Sequence, residues 1–262
     1  MNGHSEDDLE LALRLADLAD TISLVRFRAT DLRIDTKPDR TPVTDADQAV
    51  EEAIRHELAQ ARPEDSILGE EYGTVGEARR QWIIDPIDGT ANYLRGVPVW
   101  STLIALAVDG HPVVGVVSMP AFGRRWWAAI GHGAYTTDRD GAQRGLRVSA
   151  VSELADASLA MSGIDRFEQA GRLENYLGLT RRVWRTRDYG DAWPYMMVAE
   201  GLVDIAGEFG LQPYDMAALF PIIHEAGGTM TSIDGEEGPW GGSALATNGR
   251  LHEAVLATFT VD

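Results

Sequence analysis

Cysteine is absent from all 262 residues of the chain, which excludes disulfides, zinc–thiolate centres and thiol nucleophiles. Long apolar runs are missing too. The apolar stretches are of strand length and broken by Gly, Pro or charge, so no membrane-spanning helix is expected. Positive charge is scarce: 23 Lys and Arg stand against 41 Asp and Glu, a formal charge of −18. Such a surface repels nucleic acid and anionic lipid. The opening residues, MNGHSEDDLE, are acidic where a secretion signal would be basic and then apolar. A soluble cytoplasmic protein with no nucleic-acid or membrane partner is expected.

What is present suffices for a large core: 44% of the residues are hydrophobic, enough for one big domain or two interleaved halves. Helical periodicity covers 6–29, with Glu10, Arg14, Asp17 and Asp20 as its polar stripe, until the polar stretch DTKPDRTP breaks it. A second helix starts at Thr44, carries Val50, Ala53, Ile54, Leu58 and Ala61 on its apolar face, and stops before Pro63. Strands are predicted at 66–68, 82–84, 102–108, 112–119 and 125–130. Asp109-Gly110 and the turn at 120–123 make the last three an antiparallel meander. Further on, strands at 158–161, 182–185, 203–206 and 244–247 alternate with helices at 167–177, 191–200, 214–225 and from Asn248. A meander followed by βα alternation predicts a layered α/β fold with one sheet per half. The boundary is expected near 149–157, giving halves 1–150 and 151–262 of one compact unit.

The chemistry concentrates in WIIDPIDGTANY, residues 82–93. Asp85 and Asp88 follow a buried strand, and two nearby carboxylates repel unless a cation sits between them. Pro86 stiffens the turn and is expected to end the strand. The Ile87 carbonyl offers a further oxygen for a hard cation such as Mg²⁺. Gly89 and Thr90 open a short helix at 90–94 whose free N–H groups suit a phosphate. An EF-hand is excluded, because Ile87 and Gly96 occupy positions that need Asp or Asn and Glu, and a loop from Asp45 would put Val50 at the required glycine. Three other acidic stretches each have a plainer reading: Asp45 and Asp47 after Thr44 form a helix cap, Glu70 and Glu71 in LGEEY are surface, and Asp215 in LQPYDMAALF is a helix N-terminal acid.

In this order and separation, VTDAD, GEE, WIIDPIDGTANY and PYDMAALFPIIHEAGG resemble the inositol monophosphatase superfamily of magnesium-dependent phosphatases over nearly the whole chain. The resemblance implies a layered αβαβα sandwich with two sheets, commonly a homodimer, with two or three Mg²⁺ per active site. It assigns Glu70, Asp85, the Ile87 carbonyl, Asp88 and Asp215 to the metals and sets Asp47 near a further one. Thr90, with Asp47 and Glu70, would orient and deprotonate the attacking water, the Gly89 and Thr90 amides would hold the phosphate, and no covalent intermediate would form.

The stretch RTRDYGDAWPYMMVAEGLVDIAGEFGLQPYD is similar to the histidinol-phosphatase branch of that superfamily. Asp191 follows Gly190 where relatives acting on inositol phosphates carry a small uncharged residue. Glu208 matches the position that contacts the alcohol, and Arg187 one near the substrate; Ile87, Asp88 and Asp215 would border the ester as well. Two carboxylates facing the leaving group suit a cation, and histidinol phosphate carries an amine and an imidazole. The implied reaction is L-histidinol phosphate plus water to L-histidinol plus phosphate, a step of histidine biosynthesis. The alternatives are an inositol-1-phosphate or broad sugar-phosphate phosphatase, or a catalytically silent metal-binding regulatory protein. Asp191 could instead cap the helix that follows it, and Arg187 could form a surface ion pair. Trp126 and Trp127 are expected as core and cover, His132 as exposed in a hairpin turn, and His224 as a satisfied structural histidine.

Overall fold

The computed structural model describes residues 2–38, 41–137 and 141–259, so Asp39 and Arg40 of the DTKPDRTP break lie outside the described residues. Helices α1 (Asn2–Arg26) and α2 (Asp45–Ala61) pack side by side, joined through a small hairpin of β1 (Ile34–Thr36) and β2 (Pro42–Thr44). They cover one face of a large sheet comprising β3 (Ser66–Gly69), β4 (Gly73–Val75), β5 (Arg80–Asp88), β6 (Ser101–Val108), β7 (His111–Met119), β8 (Arg124–Ala129), β9 (Ala134–Thr137) and β10 (Gln143–Gly145). Its order is β10-β9-β8-β7-β6-β5-β3-β4, antiparallel except where β3 runs parallel to β5. A one-turn helix, α3 (Thr90–Leu94), leaves the end of β5.

The second sheet holds β11 (Ser158–Met161), β12 (Arg185–Thr186), β13 (Ile205–Phe209), β14 (Thr229–Thr231) and β15 (Ser243–Thr247), in the order β12-β11-β13-β15-β14. Between the sheets lie α6 (Trp193–Ala199), α7 (Pro213–Met216) and α8 (Leu219–Glu225). The outer face of the second sheet is covered by α4 (Ile164–Gln169), α5 (Leu173–Thr180) and α9 (His252–Phe259). This is the expected αβαβα sandwich. Among the described residues no helix is long and apolar enough to cross a membrane.

Both faces of the large sheet are buried, which is why its central strands read as continuous apolar runs rather than alternating ones. On β5, Ile83 joins the core between the sheets while Trp82 and Ile84 join the core under α1 and α2. Trp126 and Trp127 likewise enter opposite cores, so neither is a cover. At Gly115 on β7 an added Cβ would stand 2.1 Å from the Ala218 carbonyl. Only glycine lets the middle helices approach that closely, and the approach carries Asp215 on α7 against β5.

Several boundaries differ from expectation. Pro86 does not end β5; the strand resumes after a bulge, and Asp88 pairs with Ser101. The helix expected at 167–177 is two, with Gly171 at φ +69° just before α5. The helix expected at 214–225 is also two, since Pro221 has no N–H to donate to the Ala217 carbonyl. The helix expected from 191 begins at Trp193, because Gly190 and Asp191 are left-handed, at φ +81° and +52°. Strands β1, β2, β4, β10 and β14, each of three residues, are too short for periodicity to reveal. His132 is half-buried with Nδ1 3.5 Å from Glu6, and His224 is exposed with Nδ1 3.5 Å from Glu225.

Candidate active site

The bulge in β5 creates the site. In a regular strand, side chains three residues apart point to opposite faces. Between Asp85↔Leu103 and Asp88↔Ser101, three steps along β5 match two along β6. The extra residue reverses the alternation, so Asp85 and Asp88 converge. Asp215, on α7, meets them: one oxygen from each of the three carboxylates lies within 4.8 Å of the others. Asp215 also accepts a hydrogen bond from the Gln212 amide at 2.6 Å, which fixes its orientation. Asp88 Oδ2 accepts from Ser101 Oγ at 3.0 Å and from the Ala192 amide at 2.8 Å. Asp85 Oδ1 is buried with no hydrogen-bond partner among the described residues.

Burial of this cluster disfavours charge, and its members repel one another. Desolvation and then Glu70, Asp88 and Asp215 push the Asp85 carboxyl well above its ordinary range. Asp88 is raised likewise, by burial and then Asp191 and Asp215. Asp215 is pushed up to about 6, mainly by burial. An all-oxygen donor set, an orphaned carboxylate oxygen and uncompensated buried negative charge together fit a hard divalent cation.

Glu70 stands one step away from the trio. It follows β3, whose parallel pairing sets Gly69 opposite Ile84, and its amide donates to the Ile84 carbonyl at 3.2 Å, which holds it near Asp85, whose charge it opposes. Lys37 Nζ lies 2.7 Å from Glu70 Oε1 and 2.7 Å from Glu71 Oε1. Burial raises the Glu71 carboxyl to about 7. The turn bearing both glutamates is clamped from beneath by Glu51 of α2, which is wholly buried. Its carboxylate accepts from the Glu71 amide at 2.7 Å, the Tyr72 amide at 3.2 Å and Arg55 Nε at 2.7 Å. Glu51→Ala leaves these donors unpaired, and should lower the unfolding free energy by about 3 kcal/mol. Chemical denaturation checks this; a loss under about 1 kcal/mol would mean the clamp is dispensable.

On the other side, Asp47 is fully buried and engaged twice. Its Oδ2 accepts from the Thr44 amide at 2.8 Å and Thr44 Oγ1 at 2.6 Å, completing the helix cap. Its Oδ1 accepts from Thr90 Oγ1 at 3.1 Å, and Thr90 Oγ1 lies 3.0 Å from the Ile87 carbonyl. Asp47 therefore caps and also reaches the site. Gly89 precedes α3 at φ +85°, and a Cβ there would meet Asp191 Oδ2 at 2.9 Å.

Asp88 and Asp215 of the trio open onto a cleft of about 150 Å³ bordered also by Asp191, Glu208, Tyr195 and Arg166. Asp191 does not cap α6. Its Oδ2 accepts from Asn92 Nδ2 at 2.7 Å, and burial raises it to about 6. Its left-handed backbone is uncommon outside glycine, and such strain concentrates at functional positions. Glu208 is raised to about 7, by burial first. Arg166, whose Nε is 4.0 Å from Glu208 Oε1, is the one cation among the described lining residues. Arg187 does not line the cleft: it is exposed, its guanidinium donating to its neighbour's carbonyl at Thr186, and it makes no ion pair among the described residues. Gly190 supplies the turn that presents Asp191.

Arg166, Tyr195, Asn92, Lys37 and Glu51 escaped the sequence reading. Asn92 stands inside the central motif, where its polarity was a usable signal. Tyr195 stands inside the stretch that resembles the histidinol-phosphatase branch, where it was given no role, and Arg166 arrives from α4 through tertiary packing with no spacing to announce it.

A family model described as the inositol monophosphatase family matches residues 5–260. A histidinol-phosphatase of Streptomyces coelicolor is 58% identical over 254 residues, covering 95% of this chain and 96% of that protein. A histidinol-phosphatase of Mycobacterium tuberculosis is 56% identical over 253 residues, covering 96% and 97%. Among solved structures, an inositol monophosphatase from Zymomonas mobilis superposes with a TM-score of 0.85 at 36% identity, covering 98% of each chain.

Proposed function

The chain belongs to the inositol monophosphatase family, and from that footing we propose that it hydrolyses L-histidinol phosphate to L-histidinol and inorganic phosphate. The carrying observation is the cleft beside the carboxylate trio. Asp191 and Glu208 face it in addition to Asp88 and Asp215, with Arg166 as the one lining cation among the described residues. A phosphate dianion alone would not call for two further carboxylates. An alcohol bearing an ammonium and an imidazole would, since opposite charges attract more strongly out of water.

In this reading Asp85, Asp88, Asp215, Glu70 and the Ile87 carbonyl hold two or three Mg²⁺ ions. When bound, these supply charge neutralisation of the phosphate and acidify water. The protein's own groups do the rest. Thr90 Oγ1 donates its hydrogen bond to Asp47 Oδ1 and accepts one from the attacking water, so that as the water adds to phosphorus its proton passes to Thr90 while Thr90's passes to Asp47. Burial raises Asp47, which makes it the stronger base. The Gly89 and Thr90 amides point at the phosphate from the start of α3, where helix N–H groups have no internal partner. Asp191, held by Asn92, and Glu208 orient the alcohol. The same reading includes a homodimer, on family resemblance, and a cytoplasmic setting, on the acidic opening residues and the absence of long apolar runs.

Initial rates on L-histidinol phosphate and inositol 1-phosphate test it. We expect kcat/KM at least about tenfold higher for the cationic ester. Equal or inverted values would assign the cleft to a neutral polyol instead.

A further inference from the structure

The ring of Tyr195 belongs to the core between the two sheets, yet the residue lines the cleft with Asp88, Asp191, Glu208 and Asp215. It is 3% exposed, and its hydroxyl has no hydrogen-bond partner among the described residues. Buried phenol oxygens normally find a partner. Phenylalanine would fill the same space without an unpaired polar atom, so the hydroxyl is unexplained by packing. Burial, then Glu208, Asp88 and Asp215, keep it protonated. It therefore has one proton to donate and lone pairs free to accept. Its surroundings are anionic, which favours an incoming N–H over a neutral group.

We propose that Tyr195 is a specificity-determining residue that reads the nitrogen-bearing end of the leaving alcohol, its oxygen accepting from a substrate N–H. This rests on the histidinol phosphate reading above and deepens it. The hydroxyl is left without a partner until that substrate arrives; an alcohol lacking an N–H leaves it unpaired.

Tyr195→Phe tests the inference against L-histidinol phosphate and p-nitrophenyl phosphate, whose leaving group carries no N–H. The KM for histidinol phosphate should rise roughly tenfold, as for one lost hydrogen bond to a charged donor. Its kcat should change by less than about threefold, and kcat/KM for p-nitrophenyl phosphate should fall by about threefold or less. The metal-free variant should melt no lower than the wild type, because no internal hydrogen bond is lost. An equal loss on both esters would place Tyr195 in metal or phosphate binding and overturn the inference; so would an unchanged KM. A wild type that does not prefer histidinol phosphate to inositol 1-phosphate would sink the substrate reading and this inference with it. A wild type that does prefer it, with an indifferent variant, would sink this inference alone.

Discussion

Asp85→Asn should lower kcat/KM by about a thousandfold or more, and should do so without lowering the melting temperature of the metal-free protein. The two expectations come from one geometry. Asp85 sits 2% exposed at the bulge of β5, with one oxygen unpartnered and with Glu70, Asp88 and Asp215 all opposing its charge. As a structural element it is a liability, because an uncompensated buried carboxylate is costly. The amide is isosteric, uncharged, and can donate to the carboxylates beside it. Folding without metal is thereby eased, while an anionic ligand for the cation is lost. Phosphate release with Mg²⁺ and thermal melts in EDTA measure the two sides. Activity within tenfold of wild type would remove Asp85 from the metal site. A melt several degrees lower in EDTA would make its carboxylate structural.

How far the sequence reaches is visible in the same residues. Asp85 and Asp88 were legible from residue type, since two carboxylates after a buried strand call for a cation; Asp215, by itself only a helix N-terminal acid, was joined to them by the family resemblance, and the three do lie together. The two-sheet layering was legible because a meander followed by βα alternation predicts one sheet per half, while the αβαβα order came from the family resemblance. The bulge was not. A proline in a strand reads as its end, and only the pairing of Asp88 with Ser101 reveals that β5 resumes. The left-handed turn at Asp191 was hidden for a similar reason. Asp before an apolar helix reads as a cap, and the contact with Asn92, 99 residues earlier, has no local trace. Lys37 lay in a stretch read only as a break, although it bridges Glu70 and Glu71.

In EDTA the protein should lose stability as pH rises from about 5 to about 8, and Mg²⁺ should reverse the trend. Asp215 and Asp191 are raised to about 6 and Glu208 to about 7, in each case first by burial. Unfolded, these groups titrate near their ordinary values, so between those values and the raised ones the folded protein holds more protons than the unfolded one. Stability is then fully present below pH about 4 and is lost as pH climbs through 6 and 7. A shift of about two units is worth about 3 kcal/mol for one isolated group. These carboxylates share a cleft and compete to ionise, so together about 4 kcal/mol is reasonable. For 262 residues that corresponds to roughly 10 °C in melting temperature. Surface repulsion at a net charge of −18 works in the same direction, but salt screens it and reaches the buried cluster poorly. Melts at about 0.5 M NaCl isolate the buried contribution. Bound cations need the ionised carboxylates, so the stabilisation by Mg²⁺ must grow with pH. A melting temperature in EDTA and high salt that stays flat or rises over this range would mean that the clustered carboxylates are already ionised without metal.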